Sequence, residues 1–262
     1  MEYSIHVIGT GGTGSFVMRN ISFYLSNNEK AFKFSNRLHC YDGDIVERKN
    51  LTRQVLFTAD DIGENKASVL AGVLNDCVFE DGAMAWVAHP EYVLPKTSFM
   101  TAIKEKKSYR EMVPIVISCV DNNACRLLVE KTLDSLSDFF LIDCGNDDKT
   151  GGEVFFTSKV AGKRLSMFKS EVFPDLKKKA KAINEMSCEE LNNSLPQHMF
   201  TNMQAAQIAS CAFADFVENN KFPQGATYFD TALYRMEFVD YSIKETKKSS
   251  RRNTTNTKKK GA

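Results

Sequence analysis

The residues of this 262-residue chain best suited to chemistry lie in four short strings. The first, Gly9-Thr10-Gly11-Gly12-Thr13-Gly14-Ser15, stands between an apolar run at residues 4–8 and a helical pattern of Val17, Ile21 and Leu25. Glycines permit a tight turn and close backbone approach, and a helix starting there offers unpaired N–H groups to phosphate. Read alone the string is a weak signal, since a glycine-rich turn needs no ligand. A second strand pattern ends at Tyr41-Asp42, where an open α/β fold uses a carboxylate to hydrogen-bond a ribose hydroxyl. Asp42 falls 28 residues past Gly14, with residues 27–35 as the insertion that lengthens the usual spacing. To this point a nucleotide and a dinucleotide both fit, and a dehydrogenase stays open.

The next strings favour a triphosphate. Residues 44–54 do not continue a dehydrogenase unit; they form a polar segment that keeps Asn50, Arg53 and Gln54 near the strand ends. Residues 61–67 are a helix entry with Lys66 in its first turns. Two cations converging on a glycine loop match the charge of a triphosphate better than that of a dinucleotide pyrophosphate. Taken singly, each is more simply a solvated surface residue. The fourth string, Asp121-Asn122-Asn123-Ala124-Cys125-Arg126, follows the most apolar strand pattern. Opposite a triphosphate, Asp121 suits Mg²⁺, which takes one or two carboxylates and completes its shell from phosphate and water. Capping the next helix is the other use of Asp121, and both can hold at once.

These strings need an open sheet to gather them. Strand-like runs at 4–8, 37–41, 83–88, 113–120, 139–143 and 153–158 alternate with helical patterns, which predicts βαβ units and an α/β, Rossmann-like, mainly parallel sheet with helices on both faces. The run 204–218 carries an i, i+3, i+4 stripe rich in alanine, suited to close helix packing. Residues 227–240 read as a C-terminal antiparallel strand pair, weakened by Ala232-Leu233, and 161–202 as an irregular crossover segment. The expectation is one domain over 1–242, followed by a disordered basic tail, 243–262. That tail carries eight Lys/Arg against one Glu, a net +7, so the formal +1 of the whole chain conceals a body near −6. Such a tail is more often a solvated extension than a reader of nucleic acid, although it would give salt-dependent affinity for phosphate chains.

The seven cysteines contain no CxxC pair, which argues against a disulfide framework and a four-cysteine zinc site and favours a reducing compartment. The longest apolar run, 112–120, is about half a membrane span, and no signal peptide opens the chain. The expectation is a soluble, cytoplasmic protein with no membrane partner. The four histidines show no ligand spacing and receive no chemistry.

In order and spacing, the glycine string, Asp42-Gly43-Asp44-Ile45-Val46-Glu47, Asn50-Leu51-Thr52-Arg53-Gln54, Asp61-Ile62-Gly63 with Lys66-Ala67, and Asp121-Asn122 with Arg126 resemble the ThiF/MoeB family of ubiquitin-like-protein activating enzymes. The layout is similar to the compact ThiF-type proteins of PRTRC-type bacterial gene systems, with good cover over residues 4–152. The resemblance implies that Gly9, Gly11, Gly12 and Gly14 lie against ATP. It gives the ribose to Asp42, the phosphates to Asn50, Arg53 and Lys66, and Mg²⁺ to Asp121, with Asp44, Gln54 and Asn122 in the same site. The reaction implied is adenylation of the C-terminal carboxylate of a ubiquitin-like or sulfur-carrier protein, carried out by a homodimer.

Relatives that go further pass the acyl group to a cysteine in the crossover segment, where Cys188 is the candidate nucleophile. Against it, Glu189 and Glu190 would raise its thiol pKa, and Met186 stands where relatives often have proline. The chain lacks the paired CxxC motifs of zinc-holding relatives, so zinc is not expected. The first strand pattern begins almost at Met1, and nothing aligns Arg19 with the arginine that some relatives reach into the partner's site.

Three other classes remain. A nicotinamide-dependent oxidoreductase uses the glycine loop and Asp42 but leaves Arg53, Lys66 and Asp121 without a common task. A non-catalytic partner subunit would have lost the residues that this chain retains. A tRNA-modifying adenylating enzyme of the same fold has the basic tail as its main support.

Overall fold

The computed structural model describes residues 2–52, 54, 56–79, 84–107, 110–146, 150–178 and 199–244. Arg53, Cys188 and all of the basic tail beyond residue 244 lie outside them. Eleven strands are described: β1 Tyr3–Ile8, β2 Arg37–Tyr41, β3 Ala85–His89, β4 Lys106–Lys107, β5 Arg110–Glu111, β6 Val113–Ser118, β7 Phe139–Asn146, β8 Gly151–Val160, β9 Lys163–Arg164, β10 Gly225–Asp230 and β11 Arg235–Asp240. The helices are α1 Gly12–Ser26, α2 Lys66–Val78, α3 Ser98–Ala102, α4 Asn123–Asp134, α5 Lys169–Val172, α6 Asp175–Lys178 and α7 Met199–Asn219.

The main sheet has the order β11-β10-β8-β7-β6-β1-β2-β3, with β9 beside β8. From β3 to β7 the pairs are parallel. From β7 to β11 they are antiparallel. The order reverses at β1, which lies between β6 and β2, and ligands of open α/β sheets bind outside the carboxyl ends of strands at such a point.

Strands buried on both faces are largely apolar, and alternate residues serve two helix layers. Val7, Ile115, Ile117 and Ile142 pack with Val17, Ile21, Leu70 and Phe213, while Ile8, Val116 and Leu141 pack with Phe99, Val129 and Leu133. Ala205, Ala209 and Ala212 of α7 are buried, and the small side chains let α7 lie close beside α1.

Several bounds differ from the expectation. α7 starts at Met199, so residues 199–202 belong to this helix and not to an irregular crossover. Ala232 and Leu233 fall in the turn between β10 and β11, which explains their weak strand character. A free cysteine on a helix is expected to serve as a small buried hydrophobe, but Cys77 on α2 and Cys211 on α7 are exposed. Among the described residues no helix is long and apolar enough to cross a membrane.

Three of the histidines form a stack beneath the carboxyl edge. His6 Nδ1 is 3.1 Å from the Tyr41 hydroxyl and its Nε2 is 2.9 Å from Ser4 Oγ. His39 Nδ1 lies 3.0 Å from His89 Nε2, and His39 Nε2 approaches Glu105 Oε2 at 3.2 Å. Burial, together with the neighbouring imidazoles of His39 and His89, holds His6 well below its ordinary pKa. Burial likewise lowers His39, with His89 adding to it and Glu105 opposing. Burial lowers His89, against the pull of Glu91. Because the unfolded chain takes up these protons first, their contribution to stability is complete above about pH 6.5 and is lost as the pH falls through the depressed folded values. Urea midpoints should therefore drop between pH 7.5 and 5.5, and in a His39→Asn variant the drop should be smaller.

Candidate nucleotide site

Register sets the site's floor. Ile8 pairs with Tyr41 and with Ser118, and Ser118 pairs with Asp143, so β1, β2, β6 and β7 stay aligned to their carboxyl ends. The Gly9 amide donates to the Tyr41 carbonyl at 2.8 Å, and the Cys119 amide donates to the Ile8 carbonyl at 2.8 Å. The loops after β1, β2 and β6 consequently leave the sheet side by side.

The glycine loop is built for close approach. Gly9 has φ +84°, and a Cβ there would stand 2.8 Å from the Cys119 carbonyl oxygen. At Gly11, which precedes α1, no side chain caps the helix, and the first turn of α1 holds no acid. By contrast Asn65 caps α2 and Asn122 caps α4 through their side chains. The end of α1 thus keeps its unpaired N–H groups and positive dipole for an external anion. Gln54 lies over this end with its Nε2 3.6 Å from the place of a Cβ on Gly11. It is 4 % exposed and its Oε1 has no hydrogen-bond partner, a cost that a bound donor would relieve. Asn50 carries Gln54: its carbonyl accepts from the Gln54 amide at 2.9 Å, while its own Oδ1 accepts from the Glu47 amide at 2.8 Å.

Asp42 ties the loop to β2. Its Oδ2 accepts from the Thr10 amide at 2.7 Å and the Thr10 hydroxyl at 3.0 Å, and its Oδ1 accepts from the Asp44 amide at 2.9 Å. A carboxylate has roughly four acceptor positions, so three are in use and little remains for a ribose. Burial, and then the Asp44 charge, raise the Asp42 pKa, against Lys66 and the two amide donors.

Lys66 opens α2 as a buried cation whose Nζ donates to Asp44 Oδ2 at 2.9 Å. The Tyr92 hydroxyl donates to Asp44 Oδ1 at 2.5 Å. Burial alone would push the Asp44 carboxyl up, but Lys66 and the Tyr92 hydrogen bond outweigh it and hold it below the usual range. Asp121 is exposed, and its charge reaches Tyr92 along with those of Asp44 and Asp42. The cap of α4 is Asn122, whose Oδ1 accepts from the Cys125 amide at 3.0 Å, so Asp121 is not the cap.

Asn146, Asn202 and Asp143 belong to none of the four strings. Asn202, 1 % exposed on the first turn of α7, covers the glycine loop; its Oδ1 accepts from the Thr13 hydroxyl at 3.1 Å and from the Asn146 amide. A Cβ on Gly12 would come 2.2 Å from Asn202 Nδ2. Arg126 points inward: it pairs with the buried Asp143 and donates to the carbonyls of Val120 and of Cys144, the latter at 2.8 Å. It therefore braces the strand ends around Asp121. Of the three outside the strings, Asp143, a carboxylate in an apolar strand, is the one with a signal in the sequence. Gly9, Gly11, Gly12, Gly14, Asp42, Asp44, Gln54 and Lys66 thus lie together at one carboxyl edge, around the uncapped start of α1.

The fold and sequence have relatives. E. coli MccB solved with ATP superposes with a TM-score of 0.62 at 17% identity, covering 91% of this chain and 64% of MccB. A structure of PaaA gives 0.57 at 16% identity, covering 92% of this chain and 64% of PaaA. Ubiquitin-like modifier-activating enzyme 5 of Oryza sativa subsp. japonica is 25% identical over 159 residues, which is 58% of this chain and 34% of that protein. The NEDD8-activating enzyme E1 catalytic subunit of Saccharomyces cerevisiae is 36% identical over 75 residues, 29% of this chain and 22% of that protein. The chain thus spans about a third or less of these curated relatives. The ThiF family model matches residues 1–141, the stretch that supplies every element from β1 to the end of β6 and α4, and on that match the chain belongs to the ThiF family.

Proposed function

We propose that this protein is an ATP-dependent adenylating enzyme that activates the C-terminal carboxylate of a ubiquitin-like or sulfur-carrier protein. The observation that carries the reading is the uncapped N-terminus of α1 opening on the edge that also holds the buried Lys66 and the exposed Asp121. MccB, a neighbour in fold, has been solved with ATP, and the curated relatives are named as activating enzymes of ubiquitin-like modifiers.

In this reading the amides of residues 11–14 receive phosphate oxygens, and Gln54 and Asn50 form the wall beside them. Lys66 moves from Asp44 to the phosphates, joined by Arg53. Asp42 fixes the loop and spends its remaining acceptor capacity on the ribose. Asp121 suits Mg²⁺: no group of three or more His, Cys, Asp or Glu is placed to hold a metal among the described residues, and an ion that takes most ligands from phosphate and water needs none. Bound there, the ion would neutralise phosphate charge. A carboxylate oxygen of the partner protein attacks the α-phosphorus, the bond to pyrophosphate breaks, and the acyl-adenylate stays. Positioning and charge neutralisation supply the acceleration. We further assign the adenylation domain to residues 1–242, thioester formation to Cys188, and a cytoplasmic homodimer to the working protein.

ATP–pyrophosphate exchange dependent on a co-encoded small protein with a Gly-rich C-terminus tests the reading; no exchange with any such partner would overturn it. Lys66→Ala should lower exchange roughly 10- to 100-fold, the range expected from losing a charge-assisted hydrogen bond.

A further inference from the structure

Tyr92 belongs to no motif of the chain, yet it occupies the centre of the site's acidic side. It lies on the loop between β3 and α3, 36 % exposed. Its ring packs so closely on the backbone of Gly43 that a Cβ at that glycine would stand 2.6–2.8 Å from three ring atoms. Its hydroxyl reaches Asp44 Oδ1 at 2.5 Å, while Lys66 Nζ holds Oδ2 of the same carboxylate at 2.9 Å. The loop itself is fixed: the His89 carbonyl accepts from the amides of Asp42 at 3.2 Å and Glu91 at 2.8 Å, and Glu91 Oε1 accepts from the Ser98 amide at 2.8 Å. Burial and the hydrogen bond to Asp44, with the Asp42 and Asp121 charges beyond it, push the Tyr92 hydroxyl far up, so it remains a neutral donor.

A cation shared between a carboxylate and an incoming phosphate binds the phosphate only to the extent that the carboxylate releases it. Asp44 has two partners, one charged and one neutral. When Lys66 turns to a phosphate, the neutral partner stays and the carboxylate is not left bare. Resting on the triphosphate reading above, we propose that Tyr92 is a positioning residue that makes Lys66 available to the nucleotide by sharing the Asp44 carboxylate with it. The Gly43 contact aims the ring, and the hydroxyl does the work.

Tyr92→Phe keeps the ring and removes the donor. In the full chain with ATP and Mg²⁺, calorimetry should show the Tyr92→Phe dissociation constant raised about ten-fold, with the thermal midpoint little changed. In exchange assays KM for ATP should rise by about the same factor while kcat stays within about two-fold. The decisive comparison is the cycle with Asp44→Asn: because the effect passes through Asp44, adding Tyr92→Phe to Asp44→Asn should change ATP affinity no further. Wild-type affinity in Tyr92→Phe, or an undiminished loss in the Asp44→Asn background, overturns the role of Tyr92 and leaves the nucleotide reading standing. Wild-type protein that binds no ATP removes both.

Discussion

Arg126→Met should destabilise the protein by about 3–5 kcal/mol, the cost of leaving one member of a buried ion pair without its partner. Asp143 is 2 % exposed and Arg126 7 %, so neither charge can turn to water in place. The carbonyls of Val120 and Cys144 would lose their donor at the same time. For a chain of this size such a loss lowers the thermal midpoint by on the order of 10 °C. The double variant Arg126→Met with Asp143→Leu should regain much of it, because an apolar pair of similar volume demands no desolvation. Urea denaturation of the two variants and the wild type, with unchanged slope, gives the comparison. A double variant as unstable as the single one would show that carbonyl bracing, and not the ion pair, is the main contribution of Arg126.

Gly14→Ala should lower ATP affinity 100-fold or more. A methyl at residue 14 would stand 1.9 Å from the carbonyl oxygen of Gly9, a backbone atom that no rotamer change can move. Relief requires the turn or the start of α1 to shift, and with it the amides that the triphosphate would meet. Gly72→Ala is the matched control: it lies inside α2, and a Cβ there meets nothing within 4 Å. It should raise stability by about 0.5–1 kcal/mol through helix propensity and leave nucleotide binding alone. Equal ATP affinity of Gly14→Ala and wild type would mean that no phosphate rests on this loop.

What the sequence disclosed and what it concealed divide along physical lines. The parallel strands were readable because burial on both faces leaves mostly apolar runs, interrupted in β1 and β2 only by residues such as Ser4, His6 and His39. Their ends were less so: polarity rises at Asp143, yet β7 continues to Asn146 because β8 goes on pairing with it, Gly145 opposite Glu153 and Asn146 opposite Gly152. The start of α7 was hidden for a related reason. Thr201 and Asn202 are buried polar residues, and a stripe of apolar side chains cannot announce them. In the site, Asp42, Asp44 and Lys66 were legible because they stand at strand and helix ends, where spacing along the chain translates directly into place. Tyr92, Asn146 and Asn202 arrive from distant segments, and their partners are fixed by tertiary contact alone. Asp42 was legible in position more than in duty, since its link to Thr10 depends on how the loop curls back.

The fit between Gly12 and Asn202 has a consequence for descent. The amide of Asn202 fills the volume that any side chain at position 12 would need, so the two positions, 190 residues apart, share one small space. A side chain at position 12 must displace the Asn202 amide or meet a smaller residue there. Lineages that put a methyl at position 12 should carry a shorter residue at position 202, and this paired substitution would mark which branch of the family closes its glycine loop with the last long helix.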